Sequence, residues 1–164
     1  MTTHEVIAPR LAALRTYMAD HALAALIIPH DDDHLGEYTP AEAERLSWAT
    51  GFTGSAGVAL LQANSAALFV DGRYTTQARV QGPAELFQIY HLIEQPHMAW
   101  LQSQLQRRQR VGFDPRLHSL SWYQQSHALL AQKEIELVAL DENPLDSLWQ
   151  ERPASSKAEV MLYP

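Results

Sequence analysis

Glycines at 51, 54 and 57, a serine at 55, histidines at 30 and 34 beside Asp31, Asp32 and Asp33, and an arginine at 73 are the residues whose types and spacing could do chemistry. Spaced glycines bind phosphate when a strand leads into them and a helix follows, because the free N–H groups of that helix hold the anion. Here the apolar pattern places a helix before the glycines and a strand after them, and no lysine follows. They read instead as a turn that needs positive φ or close backbone packing. Ser55 lies in Thr53-Gly54-Ser55-Ala56-Gly57, one residue short of the Gly-x-Ser-x-Gly elbow and in the reverse strand–helix context, which argues against a nucleophile. On a helix, His30 and His34 would share a face and could ligate a metal. Pro29 and the aspartate run favour a solvated acidic loop, and the histidines at 4, 21, 91, 97, 118 and 127 show no ligand spacing. Arg73 follows Val70-Asp71-Gly72 where a strand gives way to a helix, a place where open α/β sheets face ligands. Its planar fork suits a carboxylate or a row of peptide carbonyls. A structural pair with Asp71 or the acidic loop is the simpler assignment.

Hydrophobic periodicity supplies the elements that must hold these residues. Leu11, Leu14 and Met18 after Pro9 predict a helix to about His21, and Leu23–Ile28 a buried strand stopped by Pro29. Thr39, Pro40 and Glu42 supply an N-cap, an N1 proline and an N3 glutamate for a short helix ending near Ala49. Val58–Gln62 and Ala66–Asp71 read as a hairpin, followed by a helix to about Gln81 that Gly82-Pro83 breaks. Strands over Leu86–Leu92, Val111–Phe113 and Ile135–Leu140 then alternate with helices marked by Met98, Leu101 and Leu105 and by Trp122, Leu129 and Leu130. Six strands with about four main helices predict an α/β fold, a mixed sheet flanked by helices.

The 164 residues fit one domain of ordinary size, expected over 1–141. Residues 142–164 read as a linker helix from Asn143-Pro144 and the truncated start of a following domain. Twelve Lys and Arg against 19 Asp and Glu give a net charge of -7, which disfavours nucleic acid and anionic membrane as partners. The chain has no cysteine, so thiolate metal sites and disulfides are excluded. No signal segment and no apolar run long enough to span a bilayer is found, and a soluble cytoplasmic protein is expected.

Two blocks, Arg45-Leu-Ser-Trp-Ala-Thr-Gly-Phe-Thr-Gly-Ser-Ala-Gly57 and Val70-Asp-Gly-Arg-Tyr-Thr-Thr-Gln-Ala78, resemble the N-terminal domain of Xaa-Pro aminopeptidases. Ile27-Ile28-Pro29, Asp32, His34, Glu37 and Tyr38 also agree, as do Val111–Pro115, Trp122, Asn143–Asp146, Trp149 and Arg152-Pro153. The resemblance implies the creatinase/prolidase N-terminal fold, a six-stranded mixed sheet related to ribonuclease H. It implies a parent enzyme, likewise cytoplasmic and homo-oligomeric, that removes the N-terminal residue preceding proline from a peptide. Two divalent metals, typically manganese, would sit in a later pita-bread domain, bridging and deprotonating a water and polarising the scissile carbonyl. This chain, ending at Pro164, is then expected to be silent alone, with no catalytic residue, metal ligand or cofactor of its own. Its implied part is to close over the substrate channel and help subunits associate, with Arg73 as a substrate contact. The rival expectation is a metal-free relative that keeps the fold as a peptide- or protein-binding module.

Overall fold

Three short apolar runs, Ala25–Pro29 (β1), Gly57–Gln62 (β2) and Ala66–Val70 (β3), turn alternate side chains into two separate apolar layers. The structure is a computed structural model that describes residues 3–158. Leu26, Ile28, Ala59, Leu61, Leu68 and Val70 point into one layer, and Ala25, Ile27, Val58, Leu60, Ala67 and Phe69 into the other. A sheet buried on both sides needs helices on both sides.

Thr3–Asp20 (α1), Arg45–Thr50 (α2), Thr75–Gln81 (α3) and Pro144–Leu148 (α6) cover the first layer. His97–Gln104 (α4) and Leu120–Ala131 (α5) cover the second. Gln88–His91 (β4), Arg110–Phe113 (β5) and Glu136–Ala139 (β6) complete a six-stranded sheet of order β4-β3-β2-β1-β5-β6. β2 pairs antiparallel with β1 and β3, whereas β1/β5, β3/β4 and β5/β6 are parallel. The five parallel strands therefore end on one edge, where β2 begins. The mixed, helix-flanked α/β sheet expected from the sequence is the one observed.

Two local expectations fail for identifiable reasons. α1 begins at Thr3, and Pro9 lies inside it rather than at its start. Ile7, 2% exposed, extends the buried series Ile7, Leu11, Leu14, Met18 one turn ahead of the proline, which sits on the exposed side. Thr39 does not cap a helix either. Its Oγ1 is 2.9 Å from His30 Nε2, and the chain makes a 3₁₀ turn at Ala41–Ala43 before α2. A hydroxyl engaged by a histidine is lost to the backbone as a cap. Asn143 does cap α6, accepting from Leu145 N–H at 3.0 Å, and α6 packs on α1 and α2.

Phe69 is fully buried, with ring centroids 5.1 Å from Tyr90 and 5.4 Å from Trp100. Phe69→Ala should therefore cost about 3–5 kcal/mol in urea unfolding. A loss under about 1 kcal/mol would mean that the α4/α5 layer is not packed as described.

Candidate functional site

Three of the strands that end on the common edge are followed by an aspartate whose carboxylate ties down the backbone beyond it. Asp71 directly follows β3 and accepts the Arg73 N–H at 2.9 Å, while Arg73 Nε and Nη2 donate to its Oδ2 at 3.0 and 2.6 Å. Asp114 directly follows β5 and repeats this geometry with Arg116, taking its N–H and Nε at 3.0 Å each and Nη2 at 2.7 Å. Asp32, beyond β1, accepts the N–H groups of His34 and Gly36, both at 3.0 Å.

These contacts set the charge states. Hydrogen bonds from Arg73 hold the Asp71 carboxyl below the usual carboxylate range, against a smaller opposing effect of burial. Burial alone would raise Asp114, but hydrogen bonds from the Arg116 side chain and N–H, with one from Asn143, outweigh it and lower it. The Gly36 N–H chiefly lowers Asp32.

The Arg73–Asp71 pair is thus the structural pair read from the sequence, and the guanidinium still stands in solvent with 72% of the side chain exposed. Its carbon lies 5.3 Å from the Tyr74 ring. The Tyr74 hydroxyl is 2.8 Å from Ser55 Oγ, and that hydrogen bond lowers the phenol. Ser55 is paired with a phenol rather than an imidazole, so no triad-like base activates it.

Gly51, at φ 78°, ends α2 in the left-handed region. At Gly54 a Cβ would stand 2.7 Å from Tyr74 Cδ1, so only glycine lets Phe52 and Tyr74 meet edge-on at 5.7 Å. The glycines are a packing turn, as expected.

The structure separates His30 from His34. His30 is buried against Thr39, and His34 is exposed in the loop. Among the described residues, no three His, Cys, Asp or Glu side chains come together as a metal site, so the residues present do not fit a bound metal pair. What the sequence did not show is a cleft of 290 Å³ on the same edge, bordered by His30, Ser55, His97, His118 and Trp122. His118 stacks on Trp122 with centroids 3.7 Å apart, and its Nε2 is buried with no hydrogen-bond partner among the described residues. Burial pushes His97 and His118 each down to about 4. No spacing links these two rings. The available signal was topological, since His97 opens α4 and His118 lies just ahead of α5, each helix following a parallel strand.

Residues 10–147 match the Creatinase/Prolidase N-terminal domain family. The chain belongs to this family. As a creatinase/prolidase N-terminal domain it is 35% identical over 94% of its length to aminopeptidase P1 of Lotus japonicus. It is 37% identical over 92% of its length to Xaa-Pro aminopeptidase 2 of Sus scrofa. It spans 24% and 23% of those two proteins, about a quarter of each. The crystal structure of X-prolyl aminopeptidase from Caenorhabditis elegans, described as a cytosolic enzyme with a di-nuclear active site, superposes with a TM-score of 0.82 at 28% identity. That match covers 94% of this chain and 26% of the other. The N-terminal domain of cytoplasmic peptidase PepQ from Mycobacterium tuberculosis H37Rv shares the fold, with a TM-score of 0.64 at 24% identity over 85% of this chain and 98% of that one.

The two half-buried histidines should make the domain acid-sensitive. Their folded values near 4 lie below the ordinary 6.5, so the unfolded chain takes up protons first as pH falls. Stability should therefore decline between about 6.5 and 4, by at most about 3 kcal/mol per ring, and the lowered Asp32, Asp71 and Asp114 extend the decline below that window. Urea midpoints of the wild type and of His97→Gln/His118→Gln would check this. The double variant should be flatter from pH 7 to 4.5, and equal slopes would exclude the two rings as the cause.

Proposed function

We propose that this chain is the N-terminal domain of a metal-dependent Xaa-Pro aminopeptidase, whose whole polypeptide removes the residue preceding proline from the N-terminus of a peptide. The observation that carries the reading is agreement over nearly the whole chain with Xaa-Pro aminopeptidases at 35% and 37% identity. The catalytic metal pair, manganese in this reading, belongs to a further part of the parent, reached through the segment from residue 142. The parent is a cytoplasmic homo-oligomer in the same reading, supported by a relative described as cytosolic. Among the described residues no helix is long and apolar enough to cross a membrane.

Within the parent, this domain borders the substrate channel and limits peptide access. Arg73 is the residue proposed to touch the substrate. It stands on the edge outside the strand ends, held at one side by Asp71 and open at the other. Tyr74, Phe52 and Gly54 fix the backbone on which it stands.

In the full-length protein, Arg73→Ala should raise KM for longer Xaa-Pro peptides while the domain stays folded. Removing one charge-assisted hydrogen bond predicts a change of about tenfold. Unchanged kinetics with an intact fold would remove Arg73 from the substrate path. Turnover with added manganese by the purified 164-residue chain would overturn the assignment of the metal pair to another part of the protein.

A further inference from the structure

Arg45 on α2 is only 3% exposed, yet it carries a permanent charge. Its Nε and Nη2 donate to the two oxygens of Asp146 on α6 at 2.7 and 3.0 Å. Asp146 Oδ2 is also 3.0 Å from Arg152 Nη1, and Arg152 Nε donates to the Glu42 carbonyl at 2.7 Å. Between these two arginine contacts Trp149 stacks on Trp48, with ring centroids 6.0 Å apart. Trp48 is gripped in turn by Arg10, whose guanidinium lies 4.8 Å from the ring and donates to the Trp48 carbonyl at 2.7 Å.

The placement of these contacts is informative. The sheet ends with β6 at Ala139, and the last helix ends at Leu148. Arg152 lies past both, yet it is tied to Asp146 of α6 and to the Glu42 carbonyl. Pro153 follows at once, which fixes its own φ and restricts residue 152. A free linker would carry none of these anchors.

The anchored strap and the Arg73 edge share one rigid element. α2 holds Asp146 through Arg45 and Trp149 through Trp48, and its C-terminal turn continues through Gly51 into Phe52, which packs edge-on against Tyr74 beside Arg73.

We infer that Arg45, Asp146 and Arg152 are positioning residues: they fix the direction in which the polypeptide leaves this domain, and so the placement of the Arg73 edge over the catalytic part of the parent. This rests on the proposed reading of the chain as the N-terminal domain of a larger peptidase. None of the three touches substrate. They act through α2 and the strap.

The test uses Arg152→Gln and Asp146→Asn in the full-length protein, with solution scattering alongside kinetics. The expected result is a rise of about tenfold in KM for peptides of five or more residues. Turnover of a Xaa-Pro dipeptide keeps its kcat, and the radius of gyration increases. In the 164-residue chain itself, Arg152→Gln should move the melting temperature by less than about 4 °C. A purely structural role would lower activity equally at every peptide length, and that result overturns the inference, as does an unchanged KM with unchanged scattering. Should the wild-type full-length protein turn over no Xaa-Pro peptide, the peptidase reading falls while scattering still decides on the strap. An enlarged particle in Arg152→Gln supports it, and an unchanged one overturns it.

Discussion

With water excluded from both faces of β1, β2 and β3, each backbone N–H and C=O in these strands can be satisfied only by the neighbouring strand. That requirement fixes the register. A slip of one residue between β1 and β2 would break the pairing of Ile28 with Ala59 and exchange the two apolar layers. Because β2 is the one reversed strand, the remaining five deliver their carboxyl ends to a single edge. Asp71–Arg73, Asp114–Arg116, the Asp32 loop and the histidine cleft all lie there as a consequence of topology.

The parts of this arrangement that are local in sequence were legible from it. Apolar runs located all six strands, and Asn143-Pro144 announced α6 because a side-chain cap and an N1 proline act within three residues. The glycine turn was read correctly because the order helix, glycines, strand excludes a phosphate loop. Pro9 misled because the rule for proline at a helix start is local, whereas the burial of Ile7 that extends α1 is tertiary. Thr39 misled for the same reason, since its competing partner His30 is nine residues away.

The candidate site was legible only where two residues are neighbours in the chain. Arg73 and Asp71 are two positions apart, and both the pair and its place at a strand end could be foreseen. Arg45 and Asp146 are 101 positions apart, and nothing in either segment names the other. Desolvating the Arg45 guanidinium is costly, and the two-pronged contact with the partly exposed Asp146 carboxylate offsets that cost. Arg45 Nη1 is left buried without a hydrogen-bond partner among the described residues, so the strap from 146 to 152 is held by the Nε and Nη2 contacts to Asp146 and by those of Arg152 rather than by a saturated guanidinium.

The pairing at Asp71 also narrows the chemistry of the role proposed for Arg73. Nε and Nη2 of the guanidinium are committed to the carboxylate, which leaves the Nη1 edge facing solvent. The pair has little net charge, so an incoming carboxylate would meet the negative charge of Asp71 as well as the positive charge of Arg73. It could win the whole fork only by stranding Asp71, whose carboxyl the arginine's hydrogen bonds hold below the usual carboxylate range. A peptide carbonyl carries no net charge and needs a single N–H, so it can join the Nη1 edge without disturbing the pair. A main-chain carbonyl is accordingly the better match for this arginine, and the contact would read the backbone of a peptide and not its side chains.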